Sequence, residues 1–261
     1  ALDNAASALN GAKKLSDAKN NAATDLSGLT KLNDAQRKTA QDAVDNAKTV
    51  ADVTAAVNAA KNTNTNMGDL ADDKNYANAD SIKQSSNYKN ADSDKQKAYN
   101  DAVQAAQDLL DKSKGTSTGN VTTDPDAVKT AKQKVDDAYA ALNGDNNLTA
   151  AKNNAKAAIG DLQNINNAQK ASAISAVENA QSIDDVTIAE TNAKSTDDNM
   201  KSLHDDTNLN LDTTADPYLN ADSDLKTAYD NAKKAADAIL VKSTGQSVGA
   251  SEDPKHVQDI K

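Results

Sequence analysis

The chain has no cysteine, tryptophan or phenylalanine, so tyrosine is its only aromatic residue type. Without cysteine, a disulfide framework and a thiolate metal site are both excluded. Aromatic residues make up 2% of the chain, and much of the 37% apolar fraction is alanine. A single large core is therefore hard to build, because burial contributes only about 25 cal/mol per Å² of apolar surface. We expect several small, alanine-lined cores instead.

Positive charge and long apolar runs are also scarce. The formal net charge is −10, and Arg37 is the sole arginine. A nucleic-acid partner requires clustered positive charge and stacking aromatics, so the composition argues against that class of partner. No apolar run approaches the roughly 18–20 residues that span a bilayer. We therefore expect no membrane insertion within this sequence.

The dominant feature of the sequence is an internal repeat. ALNG at 8–11 returns at 141–144, and AKNNA at 18–22 returns at 151–155, which is the same offset of 133 residues. Further matches are Met67 and Leu70 with Met200 and Leu203, and, at an offset of 130, NADSD at 90–94 with 220–224. A constant offset that changes only in Gly-, Ser- and Asn-rich stretches indicates duplicated structure with variable loops. Because the sequence starts and stops partway through the repeat, we expect the natural protein to continue in both directions.

Apolar residues recur at spacings of three and four, which is typical of amphipathic helices. Capping signals divide the first half of each copy into three such helices. The predicted capping boxes are Asn33 with Gln36, Thr49 with Asp52, Asn166 with Gln169, and Ser182 with Asp185. Short connections between three amphipathic helices predict a small antiparallel bundle.

The second half of each copy contributes only two clear helices. Asp92 is predicted to cap one of them, and Asp124-Pro125 to open the other with aspartate as N-cap and proline in the first turn. The third partner is predicted to be the end of the preceding long helix around Met67 and Leu70, extended toward Ile82. The expected fold is all-α, with tandem three-helix bundles joined end to end by long shared helices into an elongated rod.

The pattern resembles two known modules. The stretch AKNNA…LNDAQRKTA…DNAKTVADV at 18–53 resembles the GA module, first known from albumin-binding proteins. YKNADSDKQKAYNDAVQAAQDLLDKS at 88–113, followed by DPDAVKTAKQKVDDAYAALNG at 124–144, resembles a FIVAR domain. Their alternation is similar to the Ebh/Embp family of giant extracellular matrix-binding surface proteins of Gram-positive cocci.

This resemblance implies a division of the chain into modules. Residues 1–11 would end a preceding FIVAR-like bundle, and residues 12–71 would form a GA-like bundle. Residues 72–144 would then form a FIVAR-like bundle, 145–204 a second GA-like bundle, and 205–261 a second, truncated FIVAR-like bundle.

The resemblance also implies a function. It predicts a non-catalytic, monomeric stalk that projects an adhesin from the cell wall, outside the cell, and that binds fibronectin or another host matrix protein weakly. Two alternatives stay open: a module that binds fibronectin or albumin directly, and a disordered, hydration-type polar helical protein. Albumin binding is disfavoured because the second GA-like helices, at 34–48 and 167–181, contain no tyrosine.

No group of residues points to chemistry, so neither an active site nor a cofactor is predicted. His204 and His256 are the only histidines, and both are expected to be exposed on the surface. The stretch DTNLNLD at 206–212 starts like a calcium loop but lacks the glycine and glutamate that such loops need, so we expect a solvated loop.

The tyrosines are the remaining candidates. Tyr99, Tyr139 and Tyr229 lie on apolar helical stripes and are expected to pack the FIVAR-like bundles. Tyr88 and Tyr218 precede capped helices, where they could act as hydrophobic staples. If the chain has a partner-contact surface, Tyr76, Tyr88 and Tyr218 are the aromatic residues placed to form it.

Overall fold

The computed structural model describes Ser7, residues 9–112 and residues 125–261. Within these residues all regular structure is helical and no strand is present. The chain divides into two compact units, residues 1–143 (unit 1) and residues 144–261 (unit 2). The all-α prediction is therefore confirmed.

Within residues 9–112 and 125–143, unit 1 has three helices, then three very short ones, then two more. They are α1 Gly11–Ser27, α2 Asp34–Asn46, α3 Val50–Ala71, α4 Lys74–Ala77, α5 Ala79–Gln84, α6 Ser86–Lys89, α7 Ser93–Leu110 and α8 Pro125–Ala140. We call α1, α2 and the first part of α3 the leading bundle, and the segment from the end of α3 to α8 the trailing bundle.

The leading bundle forms because helix caps and apolar spacing agree. The side chains of Asn33 and Thr49 accept hydrogen bonds from the backbone N–H groups of Gln36 and Asp52, whose side chains accept from the two cap N–H groups in return. Both predicted capping boxes are confirmed. The helices then bury a small core of Leu, Val and Ala side chains, namely Ala22, Leu26, Leu32, Ala40, Val44, Ala47, Val53, Val57 and Ala60.

The trailing bundle takes its third wall from the end of α3. Met67 and Leu70 share one core with Tyr99 of α7 and Val135 of α8, so the prediction of a shared long helix is confirmed. The predicted extension toward Ile82 is wrong, because α3 ends at Ala71. The Asp73 carboxylate accepts hydrogen bonds from the next two free backbone N–H groups and starts a new helix instead.

Unit 2 repeats this arrangement with three differences: a 3-10 turn stands in place of α4, no helix corresponds to α5, and the last helix is shorter. Its helices are α9 Gly144–Gly160, α10 Asn167–Asn179, α11 Ile183–His204, α12 Asp216–Leu219, α13 Ser223–Leu240 and α14 Asp253–Ile260, with a 3-10 turn at Thr207–Asn210. Capping boxes at Asn166 and Ser182 open α10 and α11, as predicted. The last helix spans 8 residues, against 16 for its counterpart α8.

The predicted cap at Asp92 is confirmed in position only: Asp92 is the N-cap residue of α7, but its carboxylate makes no cap hydrogen bond and accepts one from the Asn143 amide instead. In unit 2, where Asp253 and Pro254 stand in place of Asp124 and Pro125, Asp253 is the first residue of α14, and its buried carboxylate accepts from the backbone N–H of Val248 at 2.7 Å. Asp124 lies outside the described residues. No helix in the described part of the chain is long and apolar enough to cross a bilayer.

Candidate functional site

Tyr99 anchors the trailing bundle of unit 1. Its ring is fully buried and lies edge-on to Tyr88, with 6.1 Å between the ring centroids. Its hydroxyl donates a hydrogen bond to the backbone carbonyl of Asn75 at 2.6 Å. Burial raises the pKa of Tyr99 to about 12. This phenol is therefore a structural anchor, because a buried, neutral and hydrogen-bonded hydroxyl cannot contact a ligand.

Tyr139 departs from the prediction that it packs the bundle. It contacts the Tyr99 ring at a centroid distance of 6.4 Å, but 37% of the residue is exposed. It lies close to the end of α8, where one side of the helix faces solvent. Tyr139 thus covers the rim of the core instead of filling it.

In unit 2 the equivalent pair is more open. The ring centroids of Tyr218 and Tyr229 are 5.9 Å apart, and both residues are half-buried. The Tyr229 hydroxyl donates to the Asn208 carbonyl at 2.8 Å. The Tyr218 hydroxyl donates to the Asp230 carboxylate, and this hydrogen bond raises the pKa of Tyr218. Lys226 approaches the Tyr218 ring face at 5.8 Å.

The three predicted contact residues are divided between the two units. Tyr76 and Tyr88 pack against the trailing core of unit 1, and Tyr218 belongs to unit 2. Each is half-buried, so each keeps part of its ring accessible. Tyr88 and Tyr218 pack against tyrosines of the next helix, Tyr99 and Tyr229. The Tyr218 ring also lies under Lys226 of the first turn of α13.

A charged network ties the start of α4 to α8. The Lys132 ammonium lies 2.8 Å from Asp73 and 2.7 Å from Asp136, and the Asn75 amide donates to Asp136. These hydrogen bonds raise the pKa of Lys132 and, through Lys132, lower that of Asp136. Because all the carboxylates are matched by donors, the network stabilises the bundle and presents no reactive group.

The histidines and the 206–212 stretch offer no chemistry either. His204 is exposed, with Nδ1 3.0 Å from Asp205. His256 is half-buried beside Ile239 and Ile260, so the prediction that it is exposed was wrong. The Asp206 carboxylate caps the 3-10 turn through the Asn208 N–H. Among the described residues, no group of three or more His, Cys, Asp or Glu side chains could hold a metal ion.

Sequence reasoning assigned Asn33 and Asn166 only as caps, and the structure adds a second role. Each is buried, and each side-chain amide also donates to the end of a helix in the trailing bundle, Asn33 to the Leu109 carbonyl and Asn166 to the Ile239 carbonyl. Serine, threonine or aspartate would cap equally well. The appearance of asparagine in both copies was the one signal for a donor role.

Two family models match the chain, and they alternate. The GA module matches residues 12–66 and 145–199, and the FIVAR domain matches residues 73–143 and 199–252. Both are repeat modules, and together they account for most of the sequence.

Curated relatives agree with the family models. The chain is 39% identical over 252 residues to the extracellular matrix-binding protein EbhA of Staphylococcus aureus strain Mu3, covering 92% of this chain and 4% of that protein. It is equally similar to the extracellular matrix-binding protein ebh of strain JH9, of which it spans 2%. The chain thus corresponds to a small part of these very long relatives.

A solved structure has the same fold. The crystal structure of an EbhA domain from Staphylococcus aureus matches with a TM-score of 0.64 at 31% sequence identity. The match covers 70% of this chain and 71% of that chain.

Proposed function

The chain belongs to the family of tandem GA and FIVAR repeats found in extracellular matrix-binding surface proteins, and from that premise we propose that it is a non-catalytic stalk segment. In this role it holds a distal part of an adhesin away from the cell wall, outside the cell. The division into modules at residues 11, 71, 144 and 204 is part of the same proposal.

The observation that carries this proposal is the sharing of long helices between successive bundles. Helix α3 packs against α1 and α2 over its first part and against α8 near its end, so it belongs to two cores. Helix α11 does the same in unit 2, where the core is continuous from Leu148 to Val257. A helix held by two cores cannot bend freely between them. Stiffness is what a spacer requires.

The expected dimensions make the proposal testable. A bundle of 20-residue helices is about 30 Å tall, so four bundles in series would give a monomeric rod about 100–120 Å long. Small-angle X-ray scattering measures this length directly. A maximum dimension near that of a sphere of the same mass would refute the stalk. A scattering curve typical of a random chain would refute the folded bundles as well.

Direct binding of a host matrix protein such as fibronectin is a second candidate function. It is favoured by Leu219 and Leu225 of unit 2, which are 54% and 63% exposed and flank the region of Tyr218. Unit 1 has Lys89 and Lys95 at the corresponding positions. We propose that Tyr218 contributes to a weak contact surface in unit 2, and Tyr76 and Tyr88 to one in unit 1.

Biosensor titration against fibronectin, with albumin in parallel, tests the second candidate. The double variant Leu219→Lys, Leu225→Lys gives unit 2 the pattern of unit 1 and should weaken binding without changing the fold. The reciprocal variant, Lys89→Leu with Lys95→Leu, gives unit 1 the pattern of unit 2 and should strengthen binding by the full chain. If the parent chain does not bind at physiological salt, the chain is a spacer only.

A further inference from the structure

In each unit, the end of one helix meets the start of another across the boundary between the two bundles. In unit 1 the last turn of α7 faces the first turn of α2. The Asn33 side-chain Nδ2 donates to the Leu109 carbonyl at 3.0 Å, and the Asp34 backbone N–H donates to the Lys112 carbonyl at 3.0 Å. Asn33 is only 1% exposed, so this contact is shielded from water.

These are the backbone groups that a helix leaves unsatisfied. The last carbonyls of α7 and the first N–H groups of α2 have no partner within their own helices. The carboxyl end of one helix also carries partial negative charge and the amino end of the other partial positive charge, so the approach is electrostatically favourable. The contact therefore satisfies both helix ends at once.

Unit 2 has the same contact, although the sequence offsets of its two sides differ. Asn166 Nδ2 donates to the Ile239 carbonyl at 3.0 Å and to the Gln246 carbonyl at 3.1 Å, and the Asn167 N–H donates to Lys242 at 2.9 Å. Asn166 lies 133 residues after Asn33, whereas Ile239 lies 130 residues after Leu109. The intervening loops have changed length, yet the same atoms meet.

Gly245 provides a second, independent observation on this contact between helix ends, which we call the joint, in unit 2. A Cβ placed on this glycine would lie 2.5 Å from Asn166 Nδ2, 2.5 Å from the Ile239 carbonyl oxygen and 2.7 Å from the Val241 carbonyl oxygen. Any larger residue would therefore push the amide and the carbonyl apart. The backbone at 245 is fitted closely around this one hydrogen bond.

We propose that this helix-to-helix joint is a lock that fixes the angle between the leading and trailing bundles, with Asn33 and Asn166 as its positioning residues. The two polar atoms of each asparagine side chain make different hydrogen bonds. Oδ1 caps its own helix by accepting from the N–H of Gln36 or Gln169, and Nδ2 holds the helix of the other bundle.

In unit 2 the Lys242 ammonium adds to this contact by donating hydrogen bonds to the carbonyl oxygens of Gln163 and Ile165, just before α10. Without the hydrogen bonds of the joint, the two bundles of a unit would be connected only through the shared helix and the side chains packed against it.

The separate hydrogen bonds of Asn166 allow a sharp test on the full chain. Cysteines introduced at Ala171 on α10 and Ala228 on α13 are both exposed and are the only thiols, so they take two spin labels. Electron–electron distance measurements then record the spread of the distance between the bundles. Asn166→Ser and Asn166→Asp keep an acceptor for the cap but remove the Nδ2 donor that reaches the Ile239 carbonyl, since the serine side chain is shorter. Gly245→Ala keeps asparagine at 166 but pushes its amide away from that carbonyl.

We expect all three variants to broaden the label distance distribution severalfold while the helix content stays that of the parent. The Asn167 amide should also exchange with solvent about tenfold faster, because its bond to Lys242 opens with the joint. Gly160→Ala is the matched control, since a Cβ there meets nothing within 4 Å. If the distributions for Asn166→Ser and Gly245→Ala superimpose on that of the parent, the lock does not exist. This result would leave the stalk proposal standing on its scattering test.

Discussion

The trailing bundles of the two units differ in how well they enclose the same tyrosine. In unit 1, α8 runs to Ala140 and places Val135 over the core, and Tyr99 is fully buried. In unit 2 the sequence stops at Lys261, one residue after the end of α14, and a cavity of about 190 Å³ lies beside Tyr229, Leu203 and Ile260. The comparison is therefore between a trailing bundle that has both halves of its last helix and one that has only the first half, and the tyrosine is less buried in the second.

The largest expected effect comes from truncating the two tyrosines separately. Tyr99→Ala should lower the free energy of unfolding of unit 1 by about 3–5 kcal/mol, since it empties a closed core. Tyr229→Ala should cost unit 2 only about 1–2 kcal/mol, because Tyr229 is only partly buried and lies beside a cavity. Guanidinium unfolding followed by circular dichroism measures both. Equal losses would mean that the two cores are equally closed.

Extending the chain at its end should remove the difference in burial between Tyr99 and Tyr229. Adding a copy of residues 133–144 after Lys261 supplies the side chains that cover the core in unit 1. We expect unit 2 to gain about 2 kcal/mol from the burial of the added valine and leucine. Iodide quenching of tyrosine fluorescence should fall as Tyr229 becomes buried. The control extension carries aspartate in place of that valine and leucine, and should give neither change.

Alkaline pH should reveal a smaller difference in stability between the two units. The pKa of Tyr99 is raised to about 12 in the folded state, above the value of about 10 for an unfolded tyrosine. Its stabilising contribution is therefore complete below pH 10 and is lost as the pH rises through 12. At pH 11 the loss is about 1 kcal/mol.

Thermal unfolding at pH 9 and pH 11 tests this prediction. Tyr99→Phe should remove the alkaline loss from unit 1, whereas Tyr229→Phe should leave the unit 1 transition unchanged. An alkaline loss that persists in Tyr99→Phe would assign it to other groups.

The capping boxes of the two leading bundles are expected to contribute equally to stability, in contrast with the two trailing bundles. Thr49→Ala and Ser182→Ala should each cost about 1 kcal/mol. The hydrogen bonds that the Thr49 and Ser182 side chains and the adjacent backbone N–H groups make with the carboxylates lower the pKa of Asp52 and Asp185. The stabilisation that the ionised carboxylates of Asp52 and Asp185 provide is present above the ordinary carboxyl pKa near 4. It is lost as the pH falls through the lowered pKa that these groups have in the folded chain.

Circular dichroism melts at pH 7 and pH 3 measure both effects. Unequal losses for the two variants at pH 7 would show that the units differ in more than their last helix.

Much of this fold could be predicted from the sequence because its determinants are local. Capping boxes depend on residues three apart, and the helical stripes on spacings of three and four, so Asn33, Thr49, Asn166 and Ser182 were assigned correctly. The end of α3 was missed because Asp73 gives the chain an alternative cap that apolar spacing does not reveal. The joint at Asn33 was missed because Leu109 lies 76 residues away. Contacts at that distance depend on how whole helices pack.

Helix α3 contributes to the cores on both sides of the junction between two modules. The GA match ends at residue 66 and the FIVAR match begins at 73, yet Met67 and Leu70, which lie between them, fill the trailing core. A cut at that junction would therefore expose the core of the second module. A fragment of the second module that is meant to fold on its own has to begin before Met67, upstream of the sequence that the FIVAR model matches.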